Sequence, residues 1–121
     1  MRYLWLLYLV VVYGLSSVPG DPESLRPPTH ADKAVHVLVY GGLAFVYVRG
    51  DTRRRGGLVG LAKALALVLA AGLVDELYQG MVPHRGQEMT DLLADLAGGA
   101  AGALLAVATA RRPCAVRERE R

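Results

Sequence analysis

The chain has 121 residues, about one domain's worth; 53% of them are apolar, 14 are basic and 11 are acidic. The charges are unevenly placed, because the stretches 3–20, 34–48, 56–74 and 92–110 together contain only Lys63 and Asp95 as charged residues. A soluble helix needs a polar face along its length, so this partition excludes an ordinary soluble domain. The single cysteine, Cys114, excludes a disulfide scaffold, and the composition excludes a collagen or a disordered chain.

The four apolar stretches predict four membrane-spanning helices. Segments of roughly 16 to 20 residues reach about 24–30 Å at 1.5 Å per residue, close to the thickness of a hydrocarbon core. The predicted fold class is therefore all-α, a four-helix transmembrane bundle over residues 1–110, followed by a basic tail over 111–121.

The first stretch, residues 3–18, is apolar on all sides until Ser16. One alternative is a cleaved signal peptide, because Met1-Arg2 precedes a short apolar run that ends in small residues. The aromatic residues Tyr3, Trp5, Tyr8 and Tyr13 favour a retained helix that is anchored at the membrane interface.

Breaks in the pattern separate the other elements. Pro19 and Gly20 end helix 1 and begin a proline-rich external linker over 19–31. Helix 2 is predicted from near Asp32 to about Val48, with Thr29 as an approximate cap. A basic hairpin at 49–57 leads to helix 3, from about Leu58 to Gln79, and we attach no adhesion meaning to its Arg-Gly-Asp tripeptide. A second external loop over 80–89 precedes helix 4, from about Thr90 to Ala110.

Basic residues predict that both termini are cytoplasmic. The amino terminus, the 49–55 linker, Lys63 and the tail carry 11 of the 14 basic residues, whereas the opposite side carries Arg26, Lys33 and Arg85. The net charge of +3 is thus a topology signal, and the basic tail also suits anionic lipid head groups. No basic face interleaved with aromatic residues supports a nucleic-acid partner. Cys114 would be a free cytosolic thiol or, alternatively, a palmitoylation site.

Polar side chains recur every four residues at the outer ends of three helices. Because ionisable groups are costly inside a membrane and usually face a bundle interior or a wet cavity, they are candidates for function. Counting depth along the antiparallel helices predicts that His36, Asp75 and Asp95 converge in one pocket beneath the outer surface. Tyr40 is predicted at its floor, and its mouth is predicted to be formed by Asp32, Glu76, Gln79, Arg85 and Asp91.

Purely structural roles remain open for several of these residues. Asp32 and Asp91 could cap their helices, and His36 could be a buried core histidine. Asp75 and Glu76 lie near a helix carboxyl end, where the macrodipole opposes negative charge, so something should compensate them. Arg85, Lys33, a charged His36 or a bound cation could do so, and Lys33 is therefore also a candidate residue of the pocket. A cation is the one cofactor that the cluster suggests, and no particular metal is predicted.

Small residues predict a close helix contact below Asp95. Gly98 and Gly102 have the G-x-x-x-G spacing that lets two helix backbones approach. We expect both glycines to face another helix.

These motifs together resemble the VanZ-like family of small bacterial integral membrane proteins, named after a protein associated with teicoplanin resistance. The resemblance covers nearly all of residues 1–108 and rests on the runs Ser16-Ser17-x-Pro19, Asp32-Lys33-x-x-His36-x-x-x-Tyr40, Asp75-Glu76-x-x-Gln79, Pro83-x-Arg85 and Asp91-x-x-x-Asp95-x-x-Gly98-x-x-x-Gly102. It implies a four-span protein of the bacterial cell membrane with a link to glycopeptide or lipoglycopeptide susceptibility. Asp95 stands where the family often has Asn, and Glu88 stands where a small polar residue is frequent.

Three classes of function remain open. The first is a membrane module whose external polar pocket binds an amphiphile: a lipid head group, a lipid-linked wall precursor or a glycopeptide-type antibiotic. The second is a membrane-embedded, hydrolase-like enzyme acting on a phosphorylated lipid. The chain has no recognisable nucleophile or H-E-x-x-H-type metal motif, which argues against an enzyme. The third is a structural or partner-binding protein. Membrane lipids are the expected partners, and the sequence does not determine an oligomeric state.

Overall fold

The computed structural model describes residues 2–20, 29–50 and 57–110. Within these ranges the chain forms four helices and no strand: α1 (Leu4–Ser16), α2 (Thr29–Arg49), α3 (Gly57–Gln79) and α4 (Met89–Ala110). The predicted all-α, four-helix bundle is confirmed. Most of the predicted proline-rich linker, the Arg-Gly-Asp hairpin and the tail with Cys114 lie outside the described residues.

Three of these helices are long and apolar enough to cross a membrane: α2 from His30, α3 and α4, with 20, 23 and 22 residues. Helix α1 is apolar but has 13 residues, so it is about 20 Å long and shorter than the span predicted over 3–18. Its end has a local cause, because the Ser17 hydroxyl donates to the Tyr13 carbonyl at 2.7 Å and closes the last turn. Pro19 then removes the backbone N–H that a further turn would need.

Helix α2 begins at Thr29 instead of near Asp32. The three residues before Asp32 contain neither proline nor glycine, so the helix starts directly after Pro28. The earlier start places Asp32 inside the first turn, where its carboxylate faces the positive end of the helix macrodipole.

Helices α2 and α4 run parallel and form the most extensive helix contact of the bundle. Both Gly98 and Gly102 lie in this contact, because a Cβ atom built on Gly98 would overlap the Val37 backbone and one on Gly102 would overlap the Gly41 carbonyl oxygen. Small residues permit this direct contact between the backbones of two membrane helices. The two amino termini are therefore held side by side at one end of the molecule.

Helix α3 runs antiparallel to this pair, and α1 packs against α2 and α3. Two tyrosines attach α1: the Tyr8 hydroxyl donates to the Val39 carbonyl at 3.0 Å, and the Tyr13 hydroxyl donates to the Ala71 carbonyl at 3.2 Å. The buried core between the helices consists largely of small and β-branched side chains together with leucine, including Leu43, Ala44, Val48, Ala64, Val68, Ala103 and Ala106. Large apolar side chains are exposed on every helix, which suits a lipid environment.

Candidate functional site

The amino ends of α2 and α4 meet the carboxyl end of α3 at one end of the bundle. Every buried polar or charged side chain in the described ranges lies at this end: Ser16, His36, Asp75, Glu76, Gln79, Asp91 and Asp95. Buried charge is costly unless it is paired or hydrogen-bonded, so this concentration is a candidate functional site.

His36 occupies the centre of the site. Its Nδ1 lies 2.8 Å from Asp95 Oδ1, and its Nε2 lies 3.7 Å from Asp91 Oδ2. When Asp95 is ionised, its carboxylate only accepts hydrogen bonds, so Nδ1 then carries the proton and donates to Asp95. The imidazole ring also lies parallel to the Tyr40 ring one turn below, with 6.2 Å between the ring centroids. Contacts on two sides therefore fix the orientation of His36.

Lys33 provides the main positive charge between α2 and α4. Its Nζ lies 3.0 Å from Asp91 Oδ1 and 3.1 Å from Glu88 Oε2. Thr90 also donates to Glu88 Oε2 at 3.2 Å. We refer to Lys33, His36, Asp91 and Asp95 as the ionic cluster.

Asp95 is completely buried, and α3 makes room for it at Gly72. A Cβ atom on Gly72 would stand 2.8 Å from Asp95 Oδ2, too close for an ordinary contact. This Oδ2 has no hydrogen-bond partner among the described residues. One oxygen of Asp95 therefore holds His36, while the other faces the α3 backbone.

Asp75 and Glu76 are both buried near the end of α3. Gln79 donates to Asp75 Oδ2 at 2.9 Å, and the Glu88 backbone N–H donates to Glu76 Oε2 at 2.9 Å. Within the described part of the chain, the second oxygen of each acid and the Tyr40 hydroxyl have no hydrogen-bond partner. Their hydrogen-bonding capacity is thus only partly used.

A partly open cavity of about 90 Å³ lies between α1, α2 and α3. Its lining combines polar side chains with apolar ones; the polar ones are Ser16, Asp32, His36, Tyr40, Asp75, Gln79 and Arg85, and the apolar ones are Val12, Leu15, Val35 and Val39. A water molecule takes about 30 Å³ in the liquid, so the cavity has room for a few waters or for one small polar group.

A tight turn brings Arg85 to this cavity. The Arg85 backbone N–H donates to the Val82 carbonyl at 3.2 Å, with Pro83 and His84 as the central residues. His84 has a φ of 61°, and proline followed by a residue of positive φ is the pattern of a type II turn. The Pro83-x-Arg85 motif therefore forms the turn that positions Arg85 at the cavity.

The structure divides the predicted pocket into two compartments. His36, Asp75, Tyr40, Asp32, Gln79 and Arg85 line the cavity, whereas Asp95, Asp91 and Glu76 do not, among the residues described. The physical reason is that α2 packs tightly on α4, so the carboxylates of α4 lie behind the imidazole ring. Glu76 of α3 is held instead by the Glu88 backbone N–H, just before α4 begins. His36 belongs to both compartments and connects them.

Lys33 was predicted as a candidate that could compensate Asp75 and Glu76, but its actual partners and two other contributions were not predicted. The ion pairs of Lys33 with Asp91 and Glu88, the recess at Gly72 and the place of Ser16 in the cavity wall all depend on which helix faces meet. Gly72 carries one sequence signal, since it is a small residue one turn before Asp75.

One set of side chains has the composition of a metal site. Asp32, His36 and Asp91 each offer one donor atom, and these three atoms lie within 4.8 Å of one another. Around them, the charge is predominantly negative, since Asp75, Glu76, Asp91 and Asp95 are all buried and the nearby cationic side chains are Lys33, Arg85 and, when protonated, His36.

The apolar helices and the polar end together define a helical membrane protein with a buried polar site. Comparison with protein families finds that the VanZ/LLP1 family model matches residues 3–110. The chain therefore belongs to the VanZ/LLP1 family, which confirms the resemblance drawn from its motifs. Comparisons with curated proteins and with solved structures find no match.

Proposed function

We propose that the protein binds the polar head of an amphiphile in the cavity between α1, α2 and α3. The observation that supports this proposal is the mixed lining of the cavity, in which charged and polar side chains stand beside apolar ones. A ligand with a charged head and an apolar tail can contact both kinds of side chain. Small-molecule sites generally combine an apolar lining with a few polar groups that fix orientation.

The charges of the cavity favour a zwitterionic head group. Asp32 and Asp75 offer carboxylates to a cationic group, and Arg85 offers a guanidinium to a phosphate. A partly open cavity of about 90 Å³ has room for one polar group of the head group, with the rest of it at the opening, and not for a whole antibiotic. A wall precursor or a glycopeptide-type antibiotic would therefore enter with one polar group only.

The distribution of basic residues along the chain indicates on which side of the membrane the cavity opens. We place both termini in the cytoplasm, α1 to α4 as four passes of a bacterial cell membrane, and the cavity at the outer surface. The 11-to-3 division of basic residues supports this orientation. An outward pocket that holds a lipid or a wall precursor would influence susceptibility to antibiotics that act at the envelope.

Binding can be measured with purified protein in detergent by native mass spectrometry. The probe is a short-chain phosphatidylethanolamine, with phosphatidylglycerol for comparison and a glycopeptide antibiotic in a parallel titration. We expect the zwitterionic lipid to bind, and Asp75→Asn and Arg85→Gln to weaken its binding at least tenfold. Lys63→Gln is the matched control, because Lys63 is an exposed charge near the opposite end of α3 and should leave binding unchanged.

Equal binding by wild type and Asp75→Asn would contradict a head-group site in this cavity. Release of phosphate or of a head group from the lipid would favour the hydrolase alternative instead. In cells, the glycopeptide concentration that stops growth should differ between strains that produce wild type and strains that produce equal amounts of Asp75→Asn.

A further inference from the structure

We propose that Asp32, His36 and Asp91 bind a divalent transition-metal ion at the membrane surface. One donor atom of each residue lies within 4.8 Å of those of the other two. Asp32 and Asp91 lie in the first turns of the parallel helices α2 and α4, and His36 lies one turn below Asp32. The three residues therefore come together because the two amino termini lie side by side.

The two oxygens of Asp91 face different partners. Oδ1 lies 3.0 Å from the Lys33 ammonium, whereas Oδ2 lies 3.7 Å from His36 Nε2. This second distance is too long for a hydrogen bond. Two donor atoms that both bind one ion at about 2.0–2.1 Å in a tetrahedral arrangement are about 3.3–3.4 Å apart, so a shift of a few tenths of an ångström would bring this pair to that separation.

The hydrogen bond to Asp95 orients the His36 imidazole so that Nε2 can bind a metal ion. Because His36 Nδ1 donates to Asp95 Oδ1 at 2.8 Å, a neutral ring has its lone pair on Nε2, the nitrogen that faces Asp91. A carboxylate behind a histidine in this way fixes the tautomer and orients the ring in many metal sites.

An independent observation comes from Glu76 on α3. Its side chain is more than nine-tenths buried, and its Oε1 has no hydrogen-bond partner among the described residues. Its charge interacts with those of His36 and Asp91. A buried carboxylate oxygen without a partner beside two other acids is costly, and a bound cation would offset that cost.

The donor set indicates the class of ion. An imidazole nitrogen favours first-row transition metals over Mg²⁺ or Ca²⁺, and three protein ligands leave coordination positions open. Asp32 and His36 also line the cavity, so an ion held by them would be reachable from it. The metal site does not require that the cavity binds a lipid.

The test uses the full chain, purified in detergent, freed of metal with a chelator and titrated with Zn²⁺ in a calorimeter. We expect one high-affinity Zn²⁺ per chain. Asp32→Asn should weaken this binding at least tenfold, and because Asp32 is exposed this variant should fold normally. His36→Gln should abolish the site, and circular dichroism checks that it folds.

Lys33→Met separates a metal site from a purely structural ionic cluster. Removing the ammonium from Asp91 should tighten Zn²⁺ binding at least threefold, whereas a structural role predicts no change in Zn²⁺ affinity. Asp75→Asn is the matched carboxylate control, since Asp75 is not one of the three ligands and its loss should leave Zn²⁺ stoichiometry unchanged while weakening lipid binding. Equal Zn²⁺ affinity in wild type and Asp32→Asn, or no Zn²⁺ binding by wild type, would overturn the proposal.

Discussion

His36 on α2 and Asp95 on α4 are joined by a 2.8 Å hydrogen bond, although 59 positions separate them in the chain. Both side chains are buried, and the bond connects the two helices that pack most closely. It therefore sets the relative position of α2 and α4 along their axes as well as the orientation of the imidazole.

The His36 and Asp95 side chains should be energetically coupled. Replacing either one with alanine leaves the other buried without its partner, so each single change should lower the free energy of unfolding by about 3 kcal/mol. The double variant should lose less than the sum, by roughly 1–3 kcal/mol. Reversible unfolding in mixed micelles measures this cycle, and strictly additive losses would show that the bond does not couple the two helices.

Leucine at Gly102 should disrupt the contact between α2 and α4. Its side chain would have to enter the space of the Gly41 carbonyl oxygen, which is backbone and cannot rotate away. We expect a loss of about 3 kcal/mol or more, seen as aggregation in detergent or as faster proteolysis. Gly14→Leu is the control, because nothing lies within 4 Å of a Cβ atom at that position. Equal stability of the two variants would mean that the glycine contact is not tight.

The turn at His84 should affect binding through Arg85. A left-handed backbone costs roughly 1–2 kcal/mol for a residue with a Cβ atom and more for a β-branched one. His84→Gly should therefore preserve the turn, whereas His84→Val should destabilise it and weaken phosphatidylethanolamine binding several-fold. Native mass spectrometry of both variants compares them, and unchanged binding by His84→Val would show that the turn does not position Arg85.

Labelling of single cysteines should establish the topology. Glu88→Cys and Glu23→Cys, each in a Cys114→Ser background, should react with an impermeant thiol reagent in intact cells. Native Cys114 should react only after lysis, because the distribution of basic residues predicts a cytoplasmic tail. Reaction of Cys114 in intact cells would reverse the orientation.

Much of the fold could be predicted from the sequence because apolar stretches without charges have few alternatives. Helix α3 was predicted to end at Gln79 and α4 at Ala110, and both do. The start of α2 and the length of α1 were less accurate. Single-residue ends depend on local hydrogen bonds, such as that of Ser17 to Tyr13, which hydropathy does not report.

The site could be predicted only in part. Depth along the helices indicates that His36, Asp75 and Asp95 lie at one level, because the rise per residue is fixed. The depth of a residue along its helix does not determine how the helix is rotated about its axis. Depth alone therefore does not predict that Asp95 lies behind His36 while Asp75 lines the cavity. That separation follows from the close approach at Gly41 and the recess at Gly72, which depend on how three helices pack together.

The parallel arrangement of α2 and α4 has a consequence for how the protein is made. Lys33 and His36 leave the ribosome long before Asp91 and Asp95, which follow them by 58 and 59 positions. An unpaired aspartate costs up to about 3 kcal/mol at the centre of a lone membrane helix. In the four-pass topology proposed above, α4 therefore enters the bilayer most easily against an already inserted α2, and the site is completed only when α4 follows the other three helices.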